Sequence, residues 1–158
     1  KLFTYTFDGY WKDVGTIESL WEANMDLLAE KPEIDLHDKK FRIYARNLGM
    51  PPHHIADGAV VENCLITEGC EIMGKTVHSI LSSGVIVEEG AEVIDSVIMP
   101  GAIIRKGAVV RRAIVAENAE ILGGCQVGEE EGLIAVVGQS VTVPESTVVK
   151  AGEQYADA

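Results

Sequence analysis

With 13 lysines and arginines against 25 aspartates and glutamates in 158 residues, the chain has a formal net charge of −12. That excess argues against nucleic acid or an anionic membrane surface as its partner. Hydrophobic residues make up 47% of it and aromatics only 6%, which points to one or two small domains with a core of small branched side chains and excludes a disordered tail.

No apolar run is long enough to cross a bilayer. Three cysteines, Cys64, Cys70 and Cys125, contain no C-x-x-C pair, which predicts a reduced, cytoplasmic setting. Residues 1–30 read as strand, turn and helix. In the opening run LFTYTF, Leu2, Phe3, Tyr5 and Phe7 fit a half-buried strand. Thr16 is a good N-cap, Glu18 suits a first turn, and Ile17, Leu20, Trp21, Met25 and Leu28 recur at helical spacing. Lys31-Pro32 ends that helix. Residues 31–54 are mixed in polarity and include Pro51-Pro52, which predicts an extended linker along a surface. A chain that opens on Lys1 in a strand-like run is expected to be a piece of something longer.

From Ile55 a repeat begins: IADGAV, ITEGCE, LSSGVI, VEEGAE, IMPGAI, IRKGAV, VAENAE. Each piece is an aliphatic residue, two mostly polar ones, Gly or Asn, and a small residue. From Gly84 the Gly/Asn positions step alternately by 6 and 11, a period of 17. In that period Val87, Ile104 and Ile121 form one column; Val93, Val110 and Val127 another; Leu81, Ile98 and Val115 a third; Val85, Ala102 and Ala119 a fourth. Helical packing would not keep aliphatics in such register. A coiled parallel β-structure does, because equivalent positions stack rung on rung and bury one another. Gly84, Gly90, Gly101, Gly107 and Asn118 mark its corners. Cys125 shares a column with Ala91 and Ala108, so it reads as a small interior residue. The period falters between Gly69 and Gly84 and again after Val127, where an irregular corner and an end cap are expected.

Acids outnumber bases by 16 to 6 from residue 55 on, yet Arg105, Lys106, Arg111 and Arg112 fall within eight residues. Cross-rung pairing would place Arg105 beside Glu88, Lys106 beside Glu89 and Arg112 beside Asp95. Arg111 has Ile94 as its rung neighbour and stands out as the candidate for binding an anion. Of the histidines, His37 is isolated and His53 and His54 lie in the linker. Only His78 sits inside the repeat, which makes a histidine base or a coil-borne zinc site a weak reading.

The combination of YWKDVGT, an amphipathic helix and this coil is specific. Through GYWKDVGTIESLWEANMDLL, the Pro51-Pro52 linker and DSVIMPGAIIRKGAVVRRAIVAENAEI, the chain resembles the C-terminal part of bacterial ADP-glucose pyrophosphorylases (glucose-1-phosphate adenylyltransferases) over essentially its whole length. The default for parallel strands is a right-handed crossover, but likeness to hexapeptide-repeat proteins implies a left-handed parallel β-helix. The expected fold is therefore mainly β: the end of an α/β nucleotidyltransferase domain at 1–30, a linker at 31–54, and the left-handed β-helix with its cap at 55–158.

The same resemblance implies an enzyme that makes ADP-glucose and pyrophosphate from ATP and α-D-glucose 1-phosphate for glycogen synthesis. It implies that Asp13 is one of two carboxylates at a catalytic Mg2+, and that Trp11 and Tyr10 wall the sugar side or pack beneath it. Residues for ATP and the sugar phosphate, including a glycine-rich loop, belong upstream, so this piece is expected to be inactive alone. Anionic metabolite effectors and a tetramer, with or without a non-catalytic paralogue, are also implied. Many members carry a lysine soon after the double proline where this chain has His53 and His54, which leaves Arg111 and Arg112 as candidates for an effector phosphate. The alternatives are a non-catalytic regulatory subunit and a hexapeptide-repeat acyltransferase.

Overall fold

From His54 the chain winds as a three-sided parallel β-helix of six rungs, in a computed structural model that describes residues 1–36, 38–40, 43–44 and 48–156. The first face stacks His54–Ile55, Glu71–Ile72, Ile86–Val87, Ile103–Ile104, Glu120–Ile121 and Thr142–Val143. The second stacks Val60–Glu62, Lys75–Val77, Glu92–Ile94, Val109–Arg111, Gln126–Val127 and Val148–Val149. The third stacks Leu65–Ile66, Ile80–Leu81, Val97–Ile98, Ala113–Val115, Ala135–Val137 and Gln154–Tyr155. Strands this short follow from the repeat, which supplies one inward aliphatic per side before the next turn.

Register follows the column arithmetic. Ile86 pairs with Ile103, and Ile103 with Glu120, each a step of 17. The step is 15 from Glu71 to Ile86 and 22 from Glu120 to Thr142, at the two places where the period falters. All four aliphatic columns are fully buried, and each Val, Leu or Ile side chain in them contributes about 1.5–3 kcal/mol of hydrophobic stabilisation. Cys125 is buried as expected, its thiol donating to the Pro144 carbonyl at 2.9 Å. At one corner column Gly101 takes φ +71° and Asn118, the next residue up, φ +55°. Both are left-handed values that these two residue types tolerate.

One expectation is corrected. Residues 1–15 contain no strand, and Leu2, Phe3, Tyr5 and Phe7 are exposed. A strand needs a hydrogen-bonding neighbour, and no described segment runs beside them. The helix does form, as α1 (Ile17–Met25) followed by a 3₁₀ turn at Asp26–Leu28. Thr16 Oγ1 accepts from the Ser19 amide at 3.1 Å, while Ser19 Oγ accepts from the Thr16 amide at 2.9 Å, a reciprocal cap.

α1 packs on the outside of the third face. Met25 and Leu28, with Ile17, Leu20 and Trp21, cover Ile80, Val97, Ile114 and Ile134 on the outside of the third face. Strands buried on both sides carry consecutive aliphatics, as Ile80-Leu81 and Val97-Ile98 do here. Ahead of residue 55 the chain already bonds to the coil. Pro51 accepts from the Gly69 amide at 2.7 Å, and Met50 lies across Gly69 and Gly84. His37 lies outside the described residues.

Candidate functional site

In the YWKDVGT segment that leads into α1, alternate side chains divide between two environments, Tyr10 and Lys12 half-buried and Trp11 and Asp13 exposed. Tyr10 donates its hydroxyl to Asp26 Oδ2 at 2.9 Å. Lys12 donates to the same oxygen at 2.8 Å and lies 3.4 Å from Glu22. The Lys12 hydrogen bond is the main force holding the Asp26 carboxyl below its ordinary value; in return Asp26 raises the ammonium pKa. Desolvation, then Asp26, raises the Tyr10 phenol. Trp11, 76% exposed, and Asp13, also exposed, are free of these ties. Asp13 makes no hydrogen bond or ion pair among the described residues.

Asp13 offers a hard oxygen donor of the kind magnesium takes, but magnesium demands near-octahedral oxygen coordination. Among the described residues no three His, Cys, Asp or Glu side chains come together as a metal cluster. The donor set here amounts to a single ligand, and no metal centre is complete within it.

A second polar constellation lies where the coil turns from its second face to its third. Asn63, His78, Asp95 and Arg112 occupy that corner in successive rungs with φ of +47°, +46°, +48° and +44°. The residues that follow them, Cys64, Ser79, Ser96 and Ala113, knit the corner together: Ser79 Oγ accepts from the Ser96 amide at 3.1 Å, and Ser96 Oγ from the Ala113 amide at 3.2 Å. Toward α1, Trp21 donates its indole N–H to the Asp95 carbonyl at 2.7 Å. The Arg112 guanidinium lies 4.6 Å above the Trp21 ring. Asn63 donates to the Leu28 carbonyl at 3.2 Å. His78 Nδ1 lies 2.6 Å from Asp95 Oδ1. Sequence reading missed this column, although its spacing of 15, 17 and 17 before a small residue was there to be found.

Beside it a cleft of about 410 Å³ is bordered by Lys75, Asp95, Arg111, Arg112, Glu129 and Glu130. The expected pairs of Arg105 with Glu88, at 2.7 Å, and of Lys106 with Glu89, at 3.4 Å, are present. Two others are corrected. Arg111 does have Ile94 as its register neighbour, but its guanidinium reaches diagonally to Glu92 at 3.1 Å and stands 3.9 Å from Glu130, so it is not unpartnered. Arg112 does not pair with Asp95; its Nε donates to the Gly132 carbonyl at 2.9 Å, and its left-handed backbone swings the side chain to Trp21.

Residues 1–30 match a family model described as nucleotidyl transferase. Residues 52–149 match one described as GlmU-like, C-terminal hexapeptide. Proteins named glucose-1-phosphate adenylyltransferase from Bacillus mycoides (strain KBAB4) and Bacillus anthracis are each 58% identical over 101 residues, 64% of this chain and 27% of the relative. The chain thus spans about a quarter of the length of these curated relatives. Six rungs built on a hexapeptide pattern, matched over residues 52–149, mean that the chain belongs to the GlmU-like C-terminal hexapeptide family.

Proposed function

We propose that this chain works within a glucose-1-phosphate adenylyltransferase, which joins ATP and α-D-glucose 1-phosphate into ADP-glucose and releases pyrophosphate. The observation that carries this reading is 58% identity over 101 residues to proteins of that name. Residues 1–30 would close the nucleotidyltransferase domain, 31–54 link it to the coil, and 55–158 serve assembly and regulation in a cytoplasmic tetramer. A bound magnesium neutralises phosphate charge in such a transfer, and Asp13 offers it one carboxylate. Trp11, two positions before and equally free of the helix, is available to the sugar side. Retention of Asp13 in its motif favours the catalytic chain over a non-catalytic paralogue.

An anionic effector would meet Lys75, Arg111 and Arg112 in the cleft they share, where its phosphate would have to displace Glu92 from Arg111 and sit among Asp95, Glu129 and Glu130. An acyltransferase would need a histidine base facing a groove between subunits; His78, with Nδ1 2.6 Å from Asp95, sits in the corner that seats α1. The test is pyrophosphate release from ATP and glucose 1-phosphate by the complete polypeptide carrying these residues. Asp13→Asn should lower turnover about a hundredfold or more, roughly 2.7 kcal/mol of transition-state stabilisation. Undiminished turnover would end the metal-ligand reading.

A further inference from the structure

We infer that Trp21 and Asn63 are positioning residues for Asp13: the polar corner of the coil locks α1 in one place and thereby sets the carboxylate at its entrance. The inference rests on the reading of Asp13 as a metal ligand. Among the described residues Asp13 has no partner of its own, so its location is set by its neighbours. Tyr10 and Lys12 tie the segment to Asp26 and Glu22, and the Thr16 cap joins it to the first turn. Wherever the helix goes, Asp13 goes with it.

Apolar packing alone leaves that location open. Ile80, Val97 and Ile114 repeat at every rung, about 4.8 Å apart, while a helical turn rises about 5.4 Å. A slip by one rung therefore re-covers equivalent aliphatics, and burial is non-directional. Hydrogen bonds are directional, and they occur at two separated points. Trp21 is held from mid-helix by the Asp95 carbonyl and by Arg112 above its ring; Leu28, in the following 3₁₀ turn, is held by Asn63. Together they specify axial position and rotation.

In the complete polypeptide, Trp21→Phe keeps an aromatic ring beneath Arg112 and removes the indole N–H together with part of the ring's apolar area. It should lower kcat about fivefold, the worth of one neutral hydrogen bond, with KM for glucose 1-phosphate unchanged. Asn63→Ala, at the other anchor, should act alike and serves if Trp21→Phe releases the helix altogether. In an Asp13→Asn background neither change should have any further effect, because both act through that carboxylate. Apart from turnover, amide exchange over residues 17–25 of this chain should quicken about fivefold in Trp21→Phe while the coil strands keep their protection. Equal losses in both backgrounds, or unaltered kcat and exchange, would overturn the positioning role alone. An Asp13→Asn enzyme with full turnover would overturn the metal-ligand reading and this inference with it.

Discussion

Arg105 reaches back along the coil axis to Glu88, one rung earlier, placing Nη1 2.7 Å from Oε1. Its Nε donates forward to Glu120 at 2.6 Å, so a single guanidinium spans three rungs of the first face. The side chain is 39% exposed, and water screens such pairs. Arg105→Met should therefore cost about 1 kcal/mol or less by urea unfolding at low salt, and the difference should shrink in about 1 M salt.

Acid should dissolve the same contact. The Arg105 guanidinium, and then the Lys106 amide, hold the Glu88 carboxyl below its ordinary value of 4.5. A depressed folded-state pKa stabilises the fold above the unfolded value and ceases to do so as pH falls through the folded one. The melting-temperature gap between the parent chain and Arg105→Met should be constant at neutral pH and close progressively below pH 4.5. A gap that persists to about pH 2 would contradict the pairing.

Two left-handed glycines separate backbone strain from steric collision. At Gly58, φ +83°, an added methyl group meets nothing within 4 Å; at Gly128, φ +77°, it would collide with the Arg111 carbonyl oxygen. Gly58→Ala should cost about 1–2 kcal/mol, the strain of the conformation alone. Gly128→Ala should cost more than that, because backbone must move, and calorimetry on the two variants would show the ordering.

Adjacent isoleucines on one strand test the inward and outward alternation. Ile104 is fully buried between Val87 and Ile121, whereas Ile103 faces outward and is half-buried. Truncating Ile104 to Ala should cost about 2–5 kcal/mol through lost burial and a cavity. The same change at Ile103 should cost about 1 kcal/mol. Equal penalties in denaturant titration would contradict the register.

Trp11 distinguishes recognition from packing. Being 76% exposed, it should be replaceable by Ala with a stability change within about 0.5 kcal/mol. If it lines the sugar side, KM for glucose 1-phosphate in the complete polypeptide should rise severalfold. An unchanged KM would remove that role.

The candidate site was only half legible. Asp13 was named by its motif, but Tyr10 and Lys12 gave no sign of their shared partner, since Asp26 becomes a neighbour only when the helix folds back beside them. Arg111 was misjudged because column arithmetic counts the residue directly opposite, Ile94, while a long side chain leans along the strand to the diagonal Glu92. Arg112 was misjudged because a corner residue at φ +44° does not project as a strand residue does.

By itself the sequence determined the coil: its period, its interior columns, its glycine and asparagine corners and the two places where it falters. Stacking makes each position repeat its own chemistry one rung later, so the contacts are written as a period along the chain. Only the tertiary structure decided where α1 lies and what holds it there. Trp21 and Asp95 are 74 positions apart, and one directional hydrogen bond between two elements leaves no period to read. The opening strand was undecided for the complementary reason: alternation can suggest an extended segment, but a strand exists only where another backbone receives its hydrogen bonds.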